Sequence, residues 1–215
     1  QCNYCIRKIK SSDNRPGVAD SVISPRSAIK RLKNAVAFDP RIQIAAIAGP
    51  GDPLANEATF ETLALIKQQL PEMRFCLSTN GLLLKDKLTA LEELGVRYIT
   101  VTVNAVQPDV GEKIYSYVRY KKQVYKGIQA ARILLEQQLE GIYRAAQRGF
   151  TIKVNSVLIP GINDKHLVEV AKEIRNAGAW IMNIMPLIPV GKFKDLPAPT
   201  SSQLKEVRSQ CSSYI

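Results

Sequence analysis

The chain has 215 residues, of which 46% are apolar, the ordinary composition of one globular domain and not of a disordered or fibrous segment. A chain of this length can bury roughly 70% of its unfolded surface. No apolar run approaches the ~20 residues that span a bilayer and four cysteines are too few for a disulfide scaffold, so a cytoplasmic protein without membrane contact is expected. The net charge of +11 fits either a solvated basic surface or an anionic partner.

Taken in chain order, the first feature is Cys2-Asn3-Tyr4-Cys5, beginning one residue after Gln1, which leads us to expect natural sequence upstream. Ser24-Pro25 then offers an N-cap and a first-turn proline to a helix with Ile29, Leu32 and Val36 on one face. Five β-rich runs follow, at residues 42–48, 74–78, 98–103, 151–158 and 180–186, each leading into a helical segment. Their near-continuous apolar character predicts parallel strands covered on both faces. Gly95, Gly149 and Gly178 each close a helix shortly before a strand. A long helix is predicted over residues 124–148, burying Ile128, Ala131, Leu135, Leu139 and Ile142, and another after Asp164, burying Leu167, Val170 and Ile174. Residues 186–200 hold four prolines and read as an extended loop before a last helix. The fold class is α/β. Successive βα units with right-handed crossovers predict a partial (βα)6-type TIM barrel in one domain over residues 1–215, with an open doubly wound sheet as the alternative.

In either architecture ligands bind at the carboxyl ends of the strands. There the chain carries Gly49-Pro50-Gly51-Asp52-Pro53, Ser78-Thr79-Asn80-Gly81, Asn104-Ala105, Asn155-Ser156 and Met185-Pro186. Each could be a plain turn, but their recurrence at successive strand ends points to a rim able to hold an amino-acid carboxylate, an amine or ribose hydroxyls. Cys2 and Cys5 suit half a zinc site, a redox pair or two ligands of an iron–sulfur cluster. Zinc is disfavoured because no second C-x-x-C or His pair completes four ligands, and thioredoxin-like chemistry because a basic polar loop follows the motif. The basic, aromatic-interleaved stretch Arg119-Tyr120-Lys121-Lys122, with Lys126, could meet phosphates, but no recognised nucleic-acid motif accompanies it and nucleic acid is not expected as a partner.

Cys2-Asn3-Tyr4-Cys5-Ile6-Arg7-Lys8 resembles the end of the C-x-x-x-C-x-x-C loop of radical S-adenosylmethionine (SAM) enzymes as the NifB family writes it. The resemblance continues through Arg15-Pro16-Gly17-Val18, Ala48-Gly49-Pro50-Gly51-Asp52-Pro53-Leu54-Ala55-Asn56, Cys76-Leu77-Ser78-Thr79-Asn80-Gly81-Leu82, Val101-Thr102-Val103-Asn104-Ala105-Val106, Lys153-Val154-Asn155-Ser156-Val157-Leu158-Ile159-Pro160-Gly161-Ile162-Asn163 and Asn183-Ile184-Met185-Pro186-Leu187-Ile188-Pro189. It implies an enzyme that fuses two [4Fe-4S] clusters and inserts a SAM-derived carbide and a sulfur, giving the [8Fe-9S-C] precursor of the nitrogenase cofactor. It implies that Cys2 and Cys5 hold the SAM-binding [4Fe-4S] cluster, with Tyr4, Gly49, Gly51, Asp52, Ser78, Thr79, Val103, Asn104, Asn155 and Met185 around SAM. It further implies Cys76 as a ligand and Asp13 as a neighbour of one of two further [4Fe-4S] substrate clusters. Partners implied are iron–sulfur donor and carrier proteins and a reductant such as ferredoxin or flavodoxin.

The chain departs from the family pattern at Lys10-Ser11-Ser12, where the family carries a cysteine. The first thiolate of the triad and a cluster-binding histidine are expected upstream of Gln1, and a C-terminal C-x-x-C downstream of Ile215. Cys211 is read as a packed core residue and His166 as an exposed side chain. Two rival functions stay open: another radical SAM enzyme, acting on RNA, and a non-catalytic cluster carrier.

Overall fold

The computed structural model describes residues 1–6, 8–9, 18–19 and 21–215, so Asp13 and Arg15-Pro16-Gly17 lie outside the described residues. Two short strands, β1 (Lys8–Ile9) and β2 (Val18–Ala19), pair in parallel. Helix α1 (Pro25–Phe38) starts where the sequence predicts: Ser24 Oγ accepts from the Ser27 N–H at 3.2 Å and Pro25 opens the first turn. The repeating units are β3 (Ile44–Ile47) with α2 (Glu57–Gln69), β4 (Arg74–Thr79) with α3 (Leu84–Glu93), and β5 (Tyr98–Thr102) with α4 (Pro108–Ile114). A hairpin of β6 (Val118–Tyr120) and β7 (Gln123–Tyr125) follows, then α5 (Gly127–Gln147), β8 (Thr151–Leu158), α6 (Leu167–Asn176), β9 (Ile181–Pro186) and α7 (Ser201–Cys211).

The five long-range strands form one parallel sheet in the order β3-β4-β5-β8-β9. Chain order and spatial order coincide, so every crossover steps to the adjacent strand in the same direction. A doubly wound sheet would reverse its order at a switch point, so the partial barrel is the architecture present. Gly95, Gly149 and Gly178 all take the left-handed backbone (φ 83°, 77° and 99°) that ends a helix before its strand.

Three expectations are corrected. The long helix begins at Gly127, because residues 118–125 form the β6–β7 hairpin instead. Ile128 therefore lies on the first turn at the surface, 48% exposed, while Ala131, Leu135 and Ile142 are buried. The strands are not covered on both faces. Phe75 and Leu77 of β4, Ile99 and Val101 of β5, Ile152 and Val154 of β8, and Ile184 of β9 lie in the core under the helices. The alternate positions, Cys76, Ser78, Thr100, Thr102, Lys153, Asn155 and Asn183, face the other way, into the barrel lumen. Register aligns them in rows, Ser78 beside Thr100 beside Lys153, and Thr102 beside Asn155 beside Asn183. Helix α7 sends Val207 and Cys211 into the same outer core.

Candidate functional site

The cysteine motif sits on a tight turn in which the Cys5 N–H donates to the Cys2 carbonyl at 3.2 Å. Three segments hold that turn. The first is the chain after α4: Cys2 bridges Tyr115, the Asn3 N–H donates to Ile114 O at 2.8 Å, and the Asn3 side-chain amide donates to Lys113 O at 2.8 Å. The Ser116 hydroxyl also donates to Asn3 Oδ1. The second is the turn of 3-10 helix at Gly191–Phe193, where the Lys192 N–H donates to Asn3 O at 2.8 Å and the Phe193 ring lies 6.5 Å from that of Tyr4. The third is the end of β5, where Asn104 Nδ2 donates to the Tyr4 hydroxyl at 2.8 Å. The motif is thus fastened to the carboxyl edge of the sheet, one residue from Cys5.

A second cluster of buried apolar residues, Ile114, Tyr115, Leu134, Leu135, Ile159 and Phe193 among them, underlies the motif, with Cys2 and Tyr4 packed against it. Burial pushes the Cys2 thiol and the phenols of Tyr4 and Tyr115 above their ordinary ranges.

The turn after β3 is locked to the end of β4 through Asp52. Its carboxylate accepts from the Thr79 hydroxyl at 2.9 Å, the Asn80 N–H at 2.6 Å and the Leu54 N–H at 3.0 Å. Gly49 and Gly51 both have φ near +100° (103° and 102°), a backbone that requires glycine at both positions of the turn. Asn155 Oδ1 accepts from Asn183 Nδ2 at 3.3 Å, linking β8 to β9 in the lumen, where Met185 is half-buried. Cys76 and Ser78 share that face and are half-buried.

The expected site residues therefore fall into two groups. Cys76, Ser78, Asn155 and Met185 lie on the lumen face of their strands, and Cys2 and Cys5 are half-buried on the turn that Tyr4 ties to the end of β5. Thr79, Val103 and Asn104 are buried, and their side chains act within the protein: Thr79 on Asp52, Val103 in the outer core, and Asn104 between Tyr4 and the Val157 N–H, which donates to Asn104 Oδ1 at 2.8 Å.

His166 is corrected from an exposed side chain to a buried one, 8% exposed, whose Nε2 accepts from the Val106 N–H at 3.0 Å while Nδ1 faces Glu169 at 3.0 Å. It stands at the N-terminal boundary of α6 as a tie between two βα loops. Cys211 is packed as expected, 3% exposed, and burial pushes its thiol up to about 11.

Two buried residues have supporting roles that the sequence did not announce. Gln138 of α5 is 1% exposed and donates through Nε2 to Asn80 O at 2.7 Å and Thr102 O at 2.8 Å, bracing the ends of β4 and β5. A polar residue between Leu135 and Ile142 on an apolar stripe was the available signal. Asn163, fully buried, donates to Asn104 O (3.0 Å) and Val157 O (2.9 Å) and accepts from the Ile159 N–H (2.8 Å). The sequence marks it only as part of the Pro160-Gly161-Ile162-Asn163-Asp164 turn after the fourth strand, without this role. Among the described residues no three His, Cys, Asp or Glu side chains come close enough together to hold a metal ion, and no helix is long and apolar enough to cross a membrane.

A parallel barrel with paired thiols on one rim and an amide- and hydroxyl-lined lumen defines a class. The family model for the radical SAM superfamily matches residues 1–174. The fold is shared with a radical SAM methyltransferase from Sphaerobacter thermophilus, at TM-score 0.67 and 17% identity over 88% of this chain and 54% of that one. This is the barrel of a radical SAM enzyme, and the family implies a [4Fe-4S] cluster and SAM. Two relatives named FeMo cofactor biosynthesis protein NifB narrow the class. That of Methanocaldococcus infernus is 45% identical over 216 residues, covering all of this chain and 71% of the relative, and that of Chlorobaculum tepidum is 42% identical over 219 residues. The chain spans about half (52%) of the Chlorobaculum protein's length. The chain belongs to the NifB family.

Proposed function

We propose that this barrel belongs to a maturase that fuses two [4Fe-4S] clusters and inserts a SAM-derived carbide and a sulfur to form an [8Fe-9S-C] nitrogenase cofactor precursor. The carrying observation is the Tyr4–Asn104 hydrogen bond, which seats the Cys2–Cys5 turn on the carboxyl rim of a lumen lined by Cys76, Ser78 and Asn155. The two thiols fit an iron–sulfur cluster by their chemistry: both are soft donors on one braced turn. A cluster held by Cys2 and Cys5 would supply the electron for reductive cleavage of a carbon–sulfur bond of SAM.

The chain's own groups bind and orient. Main-chain carbonyls of the turn at residues 49–51 would receive the SAM amine, with Asp52 holding that turn in place rather than contacting the amine itself. Ser78 and Asn155 would reach SAM from the lumen wall, and Met185 would cover it. Thr79 and Asn104 act as positioning residues. Cys76, deeper on β4, would ligate one substrate cluster, and Asp13 would stand beside it. Iron–sulfur donor and carrier proteins would deliver those clusters. A net charge of +11 opposes the negative charge of such cargo.

Anaerobic reconstitution of the full-length chain followed by addition of SAM tests the proposal. Release of both 5′-deoxyadenosine and S-adenosylhomocysteine is expected. A loaded protein that releases neither product would be a carrier. Affinity for RNA that falls steeply with salt would favour the RNA-modifying alternative.

A further inference from the structure

The β6–β7 hairpin is a basic segment that follows directly on the residues pairing with Gln1 at the start of the cysteine turn. The main-chain nitrogen of Gln1 donates to Tyr117 O at 2.8 Å, and the Ser116 N–H donates to Gln1 O at 2.9 Å, immediately before β6 begins at Val118. From Tyr117 to the tip at Lys121 is four residues, a span of at most about 14 Å. A partner resting on the tip is therefore held within about 14 Å of Tyr117, the residue bonded to Gln1 next to the motif.

Residues 117–126 carry Arg119, Lys121, Lys122 and Lys126 and no acidic side chain. The tip is built against local preference. Lys121 and Lys122 both take positive φ, 47° and 65°, in a two-residue hairpin turn of the kind that Asn-Gly serves best. Two lysines there give up turn stability and place two charges on an exposed turn. The same stretch exposes apolar side chains, Val124 at 50%, which pairs across the hairpin with Arg119, and Ile128 at 48%.

The hydroxyls of two tyrosines are engaged locally. The Tyr120 hydroxyl donates to Gln137 Oε1 at 3.2 Å with the Lys121 ammonium 5.4 Å from its ring centre, and the Tyr125 hydroxyl donates to Gln123 Oε1 at 2.6 Å. The Lys121 ammonium occupies a face of Tyr120, and the basic charge beside exposed Val124 and Ile128 suits a folded acidic protein.

We propose that this hairpin is the docking surface for a small acidic electron-transfer protein that reduces the cluster held at Cys2 and Cys5. The inference rests on the radical SAM reading, which requires one electron per SAM cleaved. The reduced donor is oxidised by one electron, and that electron is consumed in breaking the carbon–sulfur bond of SAM.

Two double variants of the full-length protein test it, with a reduced acidic flavodoxin as the probe. Lys121→Glu with Lys122→Glu reverses the charge. Lys121→Asn with Lys122→Gly removes the charge while giving the turn its preferred residues, so a folding defect cannot account for its effect. Metal-free protein of both variants should bind flavodoxin at least about tenfold more weakly than wild type at low salt, with the deficit closing as salt rises. Formation of 5′-deoxyadenosine should fall with flavodoxin as reductant and stay at wild-type level with dithionite. Unchanged flavodoxin binding, an equal loss with dithionite, or a loss of RNA affinity alone would overturn the docking surface. A wild-type protein that makes no 5′-deoxyadenosine even with dithionite would overturn the radical SAM reading itself, and the docking role with it.

Discussion

Replacing Gly191 by alanine is expected to release the cysteine turn while the barrel stays folded. Gly191 has φ +64°, and a Cβ placed on it would lie 2.6 Å from the Asn3 carbonyl oxygen and 3.5 Å from the Tyr4 carbonyl carbon. The left-handed backbone costs an alanine about 1–2 kcal/mol. The clash is with main chain, so no rotamer change relieves it, and the turn must move. Movement breaks the Lys192 to Asn3 hydrogen bond and pulls Tyr4 from Asn104 and Phe193. Loss of groups that orient metal ligands typically weakens retention about 10- to 100-fold. Iron bound per chain after anaerobic reconstitution and desalting should fall accordingly, while far-ultraviolet circular dichroism is unchanged. Full iron retention by the alanine variant would show that the clamp at residues 190–193 does not hold the thiols.

Asn163→Ala is expected to have the largest effect on stability. The side chain is fully buried and its three hydrogen bonds join the end of β8 to the main chain at Asn104. Alanine leaves the Ile159 N–H without its partner and removes a donor from two carbonyls. An unsatisfied buried group costs about 1–3 kcal/mol, so a total of about 3–5 kcal/mol is expected. The urea midpoint should drop with no change in slope. A shift below about 1 kcal/mol would mean that water replaces the amide at that position.

The architecture was legible because strand runs, helix caps and closing glycines agree with one another. Residues 151–158 were read to their ends, and Ser24-Pro25 capped the helix it announced. The faces of the strands were less legible. Lys153, Asn155 and Asn183 interrupt apolar runs with a period of two, the signature of a polar lumen, but the surrounding valines and isoleucines mask it over so few residues.

The hairpin at residues 118–125 was hidden for a different reason. Its turn is made by Lys121-Lys122, which carries none of the glycine or asparagine that announces such a turn.

At the site, the sequence marked the residues and the structure sorted them. Asn104 was read as a rim ligand, yet its amide joins Tyr4 to Val157, a role that depends on a partner 100 positions away in the chain. His166 was placed at the surface by its position at a helix start, and its burial follows from the Val106 N–H above it. Gly191 and Lys192 could not be found from sequence at all, since their importance lies in contact with a turn almost 190 residues earlier.

The central claim is that two thiols braced by Tyr4 stand over the carboxyl mouth of a polar lumen and hold iron there beside SAM. Anomalous scattering at the iron edge from crystals of the full-length protein grown anaerobically with SAM tests it most directly. Iron density between Cys2 and Cys5, with SAM running from residues 49–51 towards Asn155, is the predicted result. Iron absent from those thiols, or SAM bound on the far side of the sheet, would contradict it.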